Sequence, residues 1–217
     1  MAHILGISGS PKDGATEYSV KYALSEAAKV PGITTEFVTL RTLKFNLCTD
    51  CCACIKTDKT NCTAFHDDFS VLYERFLKAD GYLIGSPVYQ MNISALLAAF
   101  FNRFRPLWTI TKRDPHSLGR KVGGGIAVGG KRNGGEEMAL LAIVNFFFTN
   151  GIIPVSGGVL AYNGAAIWSQ NKGAEGAAAD EVGMGTVRTI AQRVALVTLM
   201  AKAGEGAYLD GLARLKS

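Results

Sequence analysis

His3-Ile4-Leu5-Gly6-Ile7-Ser8 runs directly into Gly9-Ser10-Pro11-Lys12-Asp13-Gly14-Ala15-Thr16, and that passage decides the class of fold. A short, continuously apolar run that stops at small and hydroxyl residues reads as a strand followed by a polar loop. Residues 16–30 then carry apolar side chains at helical spacing, so the opening unit is strand, loop, helix. The same alternation continues outward from it. Residues 34–40 read as a strand, 67–79 as a helix, 81–85 as a buried strand and 93–104 as a helix. Residues 121–128 form a Gly-rich strand, 136–148 a helix, 152–159 a fifth strand and 185–203 a last helix. In the helix at 67–79, Asp67 or Asp68 is expected as N-cap, with Val71, Leu72, Phe76 and Leu77 on one face. Residues 105–120 and 161–184 fit no regular element, and loops that long in a compact domain usually serve function or move.

Short apolar strands separated by helices imply a parallel sheet buried on both faces. The fold class is therefore α/β, a doubly wound five-stranded parallel sheet in the flavodoxin-like order 2-1-3-4-5. Ligands of such sheets bind outside the carboxyl ends of the strands, which directs attention to the loops after strands one, three and four. A single domain is expected over residues 1–205, with a cysteine-rich loop at 46–66 and a tail at 206–217. Of the 217 residues, 48% are apolar and 19% charged, enough for a core and too little charge for bulk disorder. The net charge of +5 is scattered and forms no basic run, which argues against a nucleic acid partner. No apolar stretch approaches the length of a membrane span, and the first ten residues lack the form of a signal peptide. A cytoplasmic protein with no membrane association is the expectation.

The first loop gathers hydroxyls, glycines and a helix N-terminus around one point, an arrangement that suits a phosphate. Gly9 and Gly14 mimic the start of a P-loop, yet Ala15 stands where the required lysine would be, so a triphosphate is disfavoured and a terminal monophosphate fits better. An ordinary Gly/Ser/Pro turn remains the plain alternative. After the third strand, Pro87-Val88-Tyr89-Gln90-Met91-Asn92 is suited to lie along a flat heteroaromatic ring. After the fourth, Gly129-Gly130-Lys131-Arg132-Asn133-Gly134-Gly135 lets backbone approach a ligand while Lys131 or Arg132 neutralises an anion. Each is weak alone; all three fall at one end of the sheet.

All five cysteines, Cys48, Cys51, Cys52, Cys54 and Cys62, lie in one window. A disulfide framework would spread them along the chain. Cys48, Cys51, Cys54 and Cys62 follow the spacing C-x2-C-x2-C-x7-C, which can wrap a [4Fe–4S] cubane. Free or vestigial thiols and a zinc site are the alternatives, the latter less suited by spacing. The neighbouring His66-Asp67-Asp68 is accounted for by helix capping and the helix dipole. No hydrolase motif is present.

Gly9-Ser10-Pro11-Lys12, the run from Ala79 to Tyr89, and Gly129 to Glu136 together resemble the NADPH-dependent FMN reductase superfamily and, within it, the iron–sulfur flavoproteins. The resemblance covers residues 1 to about 160. It implies an FMN whose phosphate sits against Ser8, Ser10, Lys12 and Thr16 beside Pro11, with the isoalloxazine ring along 87–92 and residues 130–135 on its other side. It also favours the cluster among the cysteine alternatives, although the extra Cys52 departs from the family's pattern. The activity implied is that of an oxidoreductase, with FMN taking the two-electron step, the cluster passing single electrons, and NAD(P)H or a ferredoxin as donor. Rival readings are an FMN or quinone reductase without a cluster, and a flavodoxin-like carrier or redox sensor without turnover. A homodimer or homotetramer is expected, in which the cluster of one chain approaches the FMN of another; Trp108, Tyr162 and Trp168 in the irregular segments are aromatics of the kind found at subunit contacts.

Overall fold

A computed structural model describes residues 1–216. Its elements run β1 (Ala2–Ser8), α1 (Ala15–Ala27), β2 (Ile33–Thr39), α2 (Ala53–Lys56), α3 (Asp68–Lys78), β3 (Gly81–Pro87), α4 (Ala95–Asn102), α5 (Leu107–Arg113), β4 (Val122–Gly129), α6 (Glu136–Thr149), β5 (Ile153–Pro154), β6 (Ala165–Trp168), α7 (Gly173–Ala178), α8 (Glu181–Ala203) and α9 (Glu205–Lys216). All pairings between these strands are parallel, in the order β2-β1-β3-β4-β5. The expected sheet is present. Its outer position, however, is shared: β5 pairs only with Val122 and Gly123, while β6 pairs with Ile126 to Gly129 farther along the same strand.

Alternate side chains of the central strands enter opposite layers, as a sheet covered on both faces requires. Leu5, Ile7, Tyr82 and Ile84 join the aromatic residues of α3, α4 and α6. Ile4, Leu83 and Ile126 join α1 and α8. The aromatic layer is organised around Phe76, which stacks on Tyr82 at 4.0 Å between centroids and meets Phe104 edge-on at 4.6 Å. The Tyr82 hydroxyl, fully buried, donates to the Phe76 carbonyl at 2.7 Å. Tyr82→Phe keeps the stack and deletes only that bond. It should lower the unfolding free energy by about 1 kcal/mol with an unchanged urea m-value, readable in a chemical denaturation curve.

Several expectations need correction. The face of α3 that enters the core is Phe69, Leu72, Tyr73 and Phe76, at spacings of three and four, and Val71 falls off that stripe and is 63% exposed. Residues 105–120 contain α5, and 161–184 contain β6, α7 and the start of α8. In 161–184 the Gly and Ala content, and in 105–120 the flanking Pro106 and Pro115, hid short elements whose stability comes from packing and not from propensity. The strand expected at 152–159 is two residues long, because Gly157 and Gly158 turn the chain into a short 3-10 helix, Gly158–Leu160. The tail expected at 206–217 is the helix α9 throughout its described part. Among the described residues no helix is long and apolar enough to cross a membrane.

Candidate functional site

The carboxyl ends of β1, β3 and β4 open onto one cleft of about 420 Å³, within the range of small-molecule sites. Ser10, Lys12, Gly14, Ala15 and Thr16 line one end, Pro87, Val88 and Tyr89 a second side, and Gly129, Gly130, Lys131 and Gly134 a third. The three loops singled out from sequence thus meet around one space.

The first end is rich in donors. Gly14 occupies the N-cap position of α1 and offers no side-chain cap, so the first amides of the helix are left for a ligand. Ser10 Oγ receives the Lys12 N–H at 3.2 Å and donates to the Lys12 carbonyl at 2.6 Å, a local turn that fixes the loop. Lys12 is exposed and has no ion-pair partner among the described residues. Ala15 puts a methyl on the cleft wall where a triphosphate site would need its lysine. Ser8 lies behind this end, fully buried, its hydroxyl without a partner, and does not itself line the cleft. One phosphate monoester matches this set of groups, and an FMN phosphate fits here.

The second wall is strained. Tyr89 and Asn92 bond to each other through N–H and carbonyl at 2.9 and 3.0 Å, closing a two-residue turn. Its central residues Gln90 and Met91 both take left-handed φ, 51° and 58°, which non-glycine residues adopt at a cost. Gly135, itself at φ 107°, packs against Met91: a Cβ there would lie 2.7 Å from Met91 Cα. The turn and the third loop therefore buttress each other. Gln90, Met91 and Asn92 stand on the exposed outer side of the turn, and neither they nor Pro11, Arg132 or Gly135 line the cleft. Arg132 instead stacks over Trp168 at 4.6 Å. Trp168 is consequently half-buried, while Trp108 and Tyr162 are exposed as expected.

A fourth wall escaped sequence reading. Ser169, Asn171 and Gly173, between β6 and α7, also line the cleft. They are drawn in by bonds to the third loop: the Ser169 N–H and hydroxyl donate to the Gly129 carbonyl at 2.8 and 3.0 Å, and Trp168 Nε1–H to that of Gly130 at 3.2 Å. Gln170, Asn171 and Gly173 are all left-handed. The available signal was Asn171-Lys172-Gly173, a turn-forming triplet in a segment otherwise poor in pattern.

The five cysteines line a second cavity, together with Asp50, Phe65, Arg103 and Arg105. It shares no lining residue with the cleft. Cys54 is buried, and burial, followed by the neighbouring Cys62 and Cys51, raises its thiol pKa. Cys52 occupies a left-handed position at the start of α2, where its sulfur lies 3.4 Å from the Asp50 carbonyl and 3.3 Å from Arg105 Nη2. The thiols close on a void of about 20 Å³, room for about one water. Among the described residues no group of three or more His, Cys, Asp or Glu side chains is disposed to hold a metal ion. A cubane does not require its thiolates to meet at one point, because each iron takes its own ligand. Four thiols at this spacing around one cavity supply the donor chemistry that such a group takes.

Asp67 overturns its expected role as a helix cap. It occupies the N-cap position of α3 but makes no cap bond. Its carboxylate accepts from Arg103 Nη1 and Nη2 at 2.8 and 3.1 Å and from the Asn46 backbone at 2.8 Å. Burial opposes its charge, yet Arg103 and Asn46 outweigh burial and hold the carboxyl down to about 2. A depressed pKa contributes stability that is complete above the ordinary carboxylate value and lost as pH falls toward 2, here about 2 kcal/mol. Asp67→Asn should remove about 2 kcal/mol of the stability change between pH 4 and 2, the remainder belonging to other carboxyls held low by cations, among them Glu17, Glu36 and Asp80; urea midpoints across that window measure it.

Residues 2–166 match the family model of the NADPH-dependent FMN reductases. An iron-sulfur flavoprotein of Methanocaldococcus jannaschii is 40% identical over 191 residues, spanning 88% of this chain and 93% of the relative. One of Archaeoglobus fulgidus is 39% identical over 196 residues, spanning 88% and 95%. Among solved structures, RosB with bound 8-demethyl-8-formylriboflavin-5'-phosphate superposes with a TM-score of 0.68 at 15% identity, covering 100% of this chain and 88% of that one. A flavone reductase gives 0.63 at 20% identity, covering 90% of this chain and 62% of its own length. At these identities the structures speak for the fold alone.

Proposed function

The chain belongs to the NADPH-dependent FMN reductase family, in the branch of the iron–sulfur flavoproteins, and on that premise we propose that this flavin-dependent oxidoreductase couples FMN in the cleft to a [4Fe–4S] cluster on Cys48, Cys51, Cys54 and Cys62. The observation that carries the flavin half is the cleft's single-phosphate end, with an uncapped helix N-terminus, Ser10, Thr16 and Lys12 around it and a methyl at Ala15. FMN supplies two-electron and one-electron exchange, and the cluster one-electron exchange. The protein's part is to hold them. The α1 amides and Lys12 balance the phosphate charge, Pro87 to Tyr89 offer a flat wall to the ring, and Lys131 places a cation across the cleft. NAD(P)H or a ferredoxin is the proposed electron donor.

The cysteine window follows β2 at one edge of the sheet while the cleft opens at the ends of β1, β3 and β4, and this sideways displacement supports an assembly in which thiols and cleft of different chains come together, as a homodimer or homotetramer. The test is the protein purified without oxygen: about one FMN per chain, about four irons with matching acid-labile sulfide, and a sedimentation mass above one chain. A second reading, an FMN reductase whose thiols hold no metal, is favoured by the 20 Å³ void between the cysteines. Flavin with no iron after anaerobic reconstitution would establish it in place of the first.

A further inference from the structure

Arg103, just past the end of α4, is 1% exposed, the largest of the fully buried side chains. Its Nη1 donates to the Asn46 carbonyl at 2.7 Å as well as to Asp67. These two partners bracket the cysteine window, Asn46 before Cys48 and Asp67 after Cys62. The rings of Phe65 and Phe69 cover the guanidinium at 5.1 and 4.6 Å. Arg103 is therefore a clasp that ties both ends of the loop to the aromatic core.

A clasp needs only the two terminal nitrogens. Nε is also buried, and it alone of the three has no partner. An unpaired buried donor costs about 1–3 kcal/mol, more on a charged group, so its retention calls for an acceptor in another state of the protein. Arg103 lines the cavity of the five thiols. Cys62 lines that cavity with it and is the thiol nearest in the chain to Phe65 and Asp67, the residues that cover and pair the guanidinium. Arg105, the other cation of that cavity, is a different case. Its side chain is 42% exposed and paired with Asp50 at 2.7 Å, so solvent screens it.

We propose that Arg103 is a positioning residue for the cysteine site, its Nε–H reserved as hydrogen-bond donor to the Cys62 sulfur once that sulfur ligates iron, and that it thereby sets the reduction potential of the cluster. The inference rests on the cluster reading given above. One electron from an external titrant adds one negative charge to the cluster and its sulfurs, and no proton of Arg103 moves. A donor to a ligand sulfur is strengthened by that added charge and so favours the reduced form. Asp67, paired to the same guanidinium, pulls the other way by cancelling its charge.

The two partners must then shift the potential in opposite directions. Arg103→Lys keeps the charge beside Asp67 but lacks the planar fork and the Nε–H. Asp67→Asn keeps the donor and leaves its charge uncancelled. In anaerobically reconstituted full-length protein, titrated with dithionite and followed by electron paramagnetic resonance, Arg103→Lys should favour the oxidised cluster about tenfold, a fall of about 59 mV. Asp67→Asn should raise the potential. A purely structural clasp predicts lowered iron content in both variants with no opposed shift, and that result would overturn the proposal. If Arg103→Lys does not load, an unchanged or lowered potential in Asp67→Asn overturns it alone. Wild-type protein that takes up no iron would remove the cluster reading itself, a failure distinct from loaded variants with unmoved potentials.

Discussion

Ser10→Glu is expected to weaken FMN binding about a thousandfold while leaving the fold intact. Ser10 lies at the cleft end where Thr16, Gly14 and Lys12 converge, with the open N-terminus of α1 behind them. A carboxylate placed there meets the phosphate as a like charge. At about 4 Å and an effective dielectric near 20 the repulsion is about 4 kcal/mol, or three factors of ten in affinity. The local cost is smaller: the substitution removes the Ser10 turn with Lys12, about 1 kcal/mol, and the longer side chain, at a position only 3% exposed, finds room in the cleft that Ser10 lines. Quenching of flavin fluorescence measures the first quantity and thermal unfolding of the apoprotein the second. Affinity within tenfold of wild type would displace the phosphate from this loop. Ser10→Ala is the matched control, and it should lose no more than about tenfold, because the helix amides and Lys12 remain.

Cys54→Ala should abolish cluster assembly, taking iron from about four per chain to less than one, as three thiolates leave one corner of a cubane unligated. Cys48→Ala, Cys51→Ala and Cys62→Ala should do the same. Cys52→Ala should keep its iron, because the sulfur already faces the Asp50 carbonyl and Arg105 from a left-handed position at the start of α2. The apoprotein should tolerate Cys54→Ala well, since a buried thiol packs as a small apolar group. Iron and acid-labile sulfide analysis of the five variants, reconstituted in parallel, decides the set. Loss in Cys52→Ala together with retention in Cys51→Ala would exchange those two residues in the assignment.

The sequence disclosed a parallel sheet covered on both faces because each central strand is a short, mostly apolar run with no polar alternation, and such a run has few places to go except the middle of a two-sided sheet. The cleft was legible for a related reason: loops at Ser10, Pro87 and Gly130 follow strands directly, so topology alone brings them to one end. Asn171 and Ser169 were not legible. They reach the cleft because Ser169 and the neighbouring Trp168 bond to the Gly129 and Gly130 carbonyls, long-range pairings that the turn signal at Asn171-Lys172-Gly173 does not reveal. Asp67 was misread because a helix start explains an aspartate sufficiently. Only the fold carries Arg103, 36 positions later, to the same point.

The split outer edge of β4 bears on how a ligand enters and leaves. Its first residues are closed by β5 and its last four by β6, yet β3 accompanies the strand from Val122 to Val128. Detaching β6 and α7 would therefore uncover the wall that holds Ser169, Asn171 and Gly173 and leave the central strands paired. That wall is held by four ladder positions and by Ala165, Ile167 and Ala177, which pack into the core with α1 and α8, so opening it breaks fewer contacts than global unfolding does. An opening confined to this edge would give a ligand a way in and out of the cleft while β1, β3 and β4 stay paired.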